Sequence, residues 1–183
     1  MNSVVTSPKE LREHPNPEII EVIELVDEYS VWFLGDELPF CVNLERLTLR
    51  GCSFPLRLFE FIPDSVRVLE IIDDGYREIP IDVVGLVNLE ELNFSRNLIE
   101  EIPDYFREFW TLKKVNLSGN NITNVPEFIF DLPLIELGLN MNQLTSFPNV
   151  KCETLKTLYL NGNTNIDEDT IRSQFPTLEE LTI

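Results

Sequence analysis

Histidine is almost absent from this chain. The one copy, His14, stands between charged and proline-rich residues in S-P-K-E-L-R-E-H-P-N-P. A Ser–His or Cys–His nucleophile needs an imidazole held by a third group, and this segment offers no holder. Cysteine is scarce too: Cys41, Cys52 and Cys152 are odd in number and far apart. That gives no disulfide framework and no zinc pair, and it fits a reducing compartment. No P-loop, G-x-G-x-x-G or H-E-x-x-H occurs, and the acidic Asp167–Asp169 lacks the glycine and spacing of a calcium loop. The expectation is a chain that is not an enzyme and uses no cofactor and no metal.

Basic residues are also few. Fourteen Lys and Arg oppose 32 Asp and Glu, a formal charge of −18. Such a chain repels phosphate backbones and anionic lipid, so neither nucleic acid nor a membrane surface is an expected partner. No run approaches the roughly 18 apolar residues of a membrane span. The start, M-N-S-V-V-T-S-P-K-E, has neither the basic nor the apolar part of a secretion signal. The expected location is the cytoplasm.

What is present is a repeat. Of the 183 residues 43% are hydrophobic, enough for one domain with a core. Their order follows L-x-x-L-x-L-x-x-N-x-L, clearest in Asn88–Pro103, Thr111–Pro126 and Pro133–Pro148. First positions fall at Leu44, Val66, Leu89, Leu112, Leu134, Leu155 and Leu178, spaced 22, 23, 23, 22, 21 and 23 residues apart, with the last copy truncated. Within each copy the pairs Leu47/Leu49, Leu69/Ile71, Leu92/Phe94, Val115/Leu117, Leu137/Leu139, Leu158/Leu160 and Leu181/Ile183 alternate with other residues, which is strand periodicity. One repeat alone cannot bury such a pair, so neighbours must stack. The ninth position is Asn97, Asn120, Asn142 and Asn163, an amide able to donate and accept at the turn leaving the strand. Cys52 and Asp74 break that row, which predicts less regular early repeats.

Across about residues 43–183 the sequence resembles leucine-rich-repeat proteins. The added Ile79-Pro80, Ile102-Pro103, Val125-Pro126 and Phe147-Pro148 resemble the intracellular class of about 23 residues, of which Ras-suppressor-like signalling proteins are examples. The resemblance implies an α/β repeat fold: a curved solenoid with a parallel sheet on its concave face, loops and short helical turns on its convex face, and a role in protein binding. Some bacterial repeat effectors carry a ubiquitin-ligase domain with a C-x-D nucleophile. The cysteines here read C-V-N, C-S-F and C-E-T. The function expected is therefore an adaptor or scaffold binding a protein; the alternative is the recognition part of a larger enzyme or signalling regulator.

The ends divide at residue 43. Residues 1–43 read as an N-terminal cap with nine acids against Lys9 and Arg12. Residues 1–16 look loose. Pro17–Tyr29 reads either as an amphipathic helix or as a degenerate repeat, with Ile20-x-x-Ile23-x-Leu25 lying 24 residues before Leu44. Asp167–Phe175 reads as a short helix with an acidic first turn. The last strand, Leu181–Ile183, leaves an edge through which self-association is conceivable.

The residues between the inward pairs face the concave surface. They are Arg46 and Arg50, then Val68, Glu70 and Ile72, then Glu91 and Asn93. Lys114 and Asn116, Glu136 and Asn140, and Tyr159 and Asn161 continue the row. Arg46 and Arg50 form a basic corner, and Gly138 is expected to open a dent between Asn116 and Tyr159. Tyr105 and Trp110 fall on the convex side, where the expectation is that they cover neighbouring segments.

Overall fold

A computed structural model describes residues 3–28, 31–52, 56–164 and 166–183. The repeat becomes one nine-stranded sheet, in which each strand pairs in parallel with its sequence neighbours. The strands are β1 (Val4–Val5), β2 (Val22–Val26), β3 (Arg46–Arg50), β4 (Val68–Ile72), β5 (Glu91–Asn93), β6 (Lys114–Asn116), β7 (Glu136–Gly138), β8 (Thr157–Tyr159) and β9 (Glu180–Thr182). The sheet is open and curved in the manner of a leucine-rich-repeat solenoid. Its register follows the motif: Leu47 lies opposite Leu69, Leu69 opposite Leu92, and so on through Val115, Leu137 and Leu158. Each of these six side chains is at most 1% exposed. The last pair is less enclosed, with Leu181 half-buried and Ile183 44% exposed.

The isoleucine–proline pairs turn the chain back. Pro80, Pro103 and Pro126 hold φ at −63°, −75° and −71° with extended ψ, the value the pyrrolidine ring fixes. Their carbonyls then accept from Val83, Phe106 and Ile129, opening 3-10 turns at Ile81–Gly85, Asp104–Glu108 and Glu127–Asp131. Val83, Phe106 and Ile129 are fully buried against the sheet.

Buried asparagines close the other side of each repeat. Asn120 Nδ2 donates to Phe94 O of the preceding repeat and to Leu117 O of its own, while Oδ1 accepts from Ile99 N. Asn97, Asn142 and Asn163 repeat this pattern. Cys52 and Asp74 interrupt the row of amides: the Asp74 carboxylate accepts from Cys52 N, and Cys52 offers a thiol. That thiol lies 3.4 Å from Leu25 O and 3.3 Å from Arg50 O and has one proton to donate between them, where an amide has two. The early repeats differ from the later ones in strand length: β2, β3 and β4 have five residues each, and later strands have three. The residue one before the ladder position enters the left-handed region in repeat after repeat, at Arg96 (φ 60°), Gly119 (71°), Met141 (53°) and Gly162 (80°). Glycine meets that demand without strain; arginine and methionine do not.

Residues 3–16, the described part of the segment expected to be loose, form a strand and a helix. Val5 joins β1, and helix α1 (Pro8–Arg12), capped by the Ser7 hydroxyl accepting from Glu10 N, buries Leu11. The segment beginning at Pro17 is not an amphipathic helix. It makes one 3-10 turn, Pro17–Ile19, and then β2, paired from Val22↔Arg46 to Val26↔Arg50. Its β-branched residues suit a strand, and Ile20, Ile23 and Leu25 are fully buried. Tyr29, the end of that segment, lies outside the described residues. A short helix α2 (Leu34–Glu37) follows. Helix α3 (Glu168–Gln174) starts at Asp167, whose carboxylate accepts from Thr170 N at 2.8 Å.

Candidate binding surface

The alternate strand residues that the core does not use meet in columns on the concave face. One column reads Val22, Arg46, Val68, Glu91, Lys114, Glu136, Thr157 and Glu180. The next reads Glu24, Thr48, Glu70, Asn93, Asn116, Gly138, Tyr159 and Thr182. The third holds Val26, Arg50 and Ile72, and Asn140 and Asn161 lie two residues past the ends of β7 and β8, where the ladder continues with Met141 N donating to Asn161 O. All thirteen residues read from the sequence as concave therefore share one face. Val22, Glu24 and Val26 extend it; the Ile20-x-x-Ile23-x-Leu25 register already put them at the same motif positions.

The basic corner divides. Glu70 collects Arg46 Nη1 at 2.9 Å, Thr48 Oγ1 at 2.8 Å and Asn93 Nδ2 at 3.3 Å. Arg46 is thus committed to its neighbour. Lys114 Nζ lies 2.9 Å from Glu91, and that bond raises the ammonium above its ordinary range. Arg50 is exposed and has no side-chain hydrogen bond or ion pair among the described residues. Burial, with the Glu180 carboxylate beside it, pushes the half-exposed Tyr159 phenol up.

The asparagines are partly occupied. Asn93 and Asn116 accept from Ser95 N and Ser118 N at 3.0 Å, and Asn140 accepts from Asn161 N at 3.1 Å. Gly138 makes no dent, because the Asn116 amide fills the space. A β-carbon at 138 would stand 2.9 Å from Asn116 Oδ1 and 3.1 Å from Ser118 Oγ. The concavity lies instead over β4–β7, a depression of about 180 Å³ bounded by Val68, Glu70, Lys114 and Glu136.

The convex aromatics separate as well. Tyr105 covers its neighbour: half-buried, its hydroxyl donates to Ile79 O. Trp110 is 75% exposed. It walls a flank groove of about 490 Å³ with Pro133 and Ile135, floored by Arg67 and Lys113, which both pair with Glu90. His14 is half-buried, its Nδ1 accepting from Asn16 N at 3.3 Å. The three cysteines are buried as free thiols, and burial pushes Cys41 up to about 11. No helix among the described residues is long and apolar enough to cross a membrane.

The leucine-rich-repeat family model matches residues 88–109 and 111–132. Lumican of Gallus gallus is 43% identical over 154 residues, covering 81% of this chain and 45% of that protein. The leucine-rich repeat-containing G-protein coupled receptor 5 of Rattus norvegicus is 30% identical over 149 residues, 78% of this chain and 16% of the receptor. This chain thus spans less than half the length of either relative. Among solved structures, the LRIM1/APL1C complex contains a chain that superposes with a TM-score of 0.65 at 18% identity, covering 91% of this chain and 30% of that one.

Proposed function

We propose that this chain, a leucine-rich-repeat protein, is a binding module that docks a protein partner on its concave face and carries out no catalysis itself. The observation behind this reading is the composition of that face. The core consumes the inward pairs from Leu47/Leu49 to Leu158/Leu160, yet Val26, Arg50, Ile72 and Tyr159 remain accessible on the opposite side of the same sheet. Tyrosine and arginine flanked by aliphatic residues are the side chains that anchor interfaces. The thirteen concave residues from Arg46 to Asn161 are the proposed contact set. Residues 1–43 are its cap, closing one edge of the sheet with β1. The three buried, unpaired thiols favour the cytoplasm as the location.

A second reading has its own support: both relatives are much longer than this chain. On that reading the concave face is the recognition part of a larger enzyme or signalling regulator. The experiment is the same for both. The chain and an Arg50→Glu/Tyr159→Ala variant of equal melting temperature are immobilised and exposed to lysate, and retained proteins are identified by mass spectrometry. A protein held by the parent and lost from the variant supports the concave face. Identical retention by both sinks it.

A further inference from the structure

Resting on the concave-face reading, we propose that the strip Val26–Arg50–Ile72 is the anchor site, and that its occupant is a protein segment presenting one carboxylate between aliphatic side chains. Three observations carry this. First, Arg50 is the cation that the face leaves over. Arg46 is tied to Glu70 and Lys114 to Glu91, while Arg50 has no acidic partner among the described residues. Second, register puts Val26 and Ile72 directly on either side of it. Adjacent strands lie about 4.8 Å apart, so the three side chains form a strip roughly 10 Å long. Third, Val26 is 45% exposed and Ile72 half-exposed, so apolar surface flanks the guanidinium and is uncovered with it.

The chemistry of the occupant follows. A guanidinium fork receives a carboxylate through two parallel hydrogen bonds. Aliphatic neighbours on both sides exclude water once covered, and a charged pair stripped of water is worth far more than one left in solvent. A polyanion is the wrong partner. One cation does not neutralise a phosphate chain, Glu24 is exposed in the neighbouring column, and the whole chain carries −18. A lone Asp or Glu with Val, Leu or Ile beside it matches both the single charge and the two apolar flanks.

Random linear peptides displayed on phage, panned against the full chain, test this directly. The expected consensus is an Asp or Glu with an aliphatic neighbour. Synthetic peptides of that consensus should bind Arg50→Ala about tenfold or more weakly than the parent. Arg50→Lys should keep part of the affinity, which separates lost charge from lost fold. Arg50→Glu should prefer the same peptide with its acid changed to Lys. Peptides that bind Arg50→Ala as tightly as the parent overturn the anchor. If those peptides are lost on Tyr159→Ala, the concave face stands and binding moves toward β5–β9. If they ignore both substitutions, the concave face fails as well. No enrichment also overturns the carboxylate anchor, and the lysate comparison then decides the face separately.

Discussion

At the scale of single residues, the buried amides are where the fold is most exposed to damage. Asn120 is 5% exposed and satisfies Phe94 O, Leu117 O and Ile99 N at once. Alanine leaves Ile99 N buried without its acceptor and takes one of two amide donors from Phe94 O and from Leu117 O, which keep Asn97 and Asn142, so Asn120→Ala should cost roughly 1–3 kcal/mol. The urea midpoint by circular dichroism measures it; a loss below about 1 kcal/mol would mean water replaces the amide. Met141 presents the opposite case. It holds φ at 53° while its side chain is 63% exposed, so it pays left-handed strain for little packing. The left-handed penalty of about 1–2 kcal/mol exceeds the roughly 0.5–1 kcal/mol that glycine's extra chain entropy costs. Met141→Gly should therefore raise stability by several tenths of a kcal/mol to about 1 kcal/mol. A lower thermal midpoint than the parent's would show that the Met141 side chain packs more than its exposure implies.

At the scale of elements, period decides what a sequence reveals. The inward leucines recur every 21 to 23 residues with an alternating pair, so β3 to β9 and their register are legible from Leu44 onward. The concave columns follow automatically, since whatever is not inward in L-x-x-L-x-L faces out. Pro17–Tyr29 was ambiguous for a physical reason: its glutamates also recur at helical spacing, and only pairing with β3 makes the strand win. β1 has two residues, too short for any period, and Leu11 is a lone apolar residue among charges. Which cation is free was likewise illegible. It depends on whether Glu70 reaches Arg46 across the sheet, a side-chain choice that no spacing encodes. The same holds for the convex aromatics, five residues apart yet unlike. Tyr105 donates to Ile79 O beside its 3-10 turn, so Tyr105→Phe should cost about 1 kcal/mol. Trp110 is mostly solvated, so Trp110→Ala should stay within about 0.5 kcal/mol. Parallel chemical denaturation of the two variants checks the ordering, and the reverse order would put Trp110 in a packing role.

At the scale of the whole molecule, charge and shape act together. The described residues hold eight ion pairs. Exposed pairs are worth about 0–1 kcal/mol each, so their sum is modest. Against them stands a net −18 spread along nine stacked strands, a sheet roughly 40 Å from end to end at about 4.8 Å per strand. The two terms respond to salt differently because their ranges differ. The Debye length is about 30 Å at 0.01 M salt and about 8 Å at 0.15 M. At low salt, carboxylates several repeats apart still repel; at 0.15 M only near neighbours do. Partners in contact lie well inside the screening length in either case and lose little. Screening therefore removes more repulsion than attraction, and stability should rise with salt. Raising sodium chloride from about 0.01 to 0.15 M at neutral pH should lift the melting temperature by about 2–5 °C. The gain should flatten once the Debye length falls below the spacing of two repeats. A melting temperature that falls over the same range would mean that the ion pairs, Arg67–Glu90–Lys113 foremost, outweigh the repulsion among the acids.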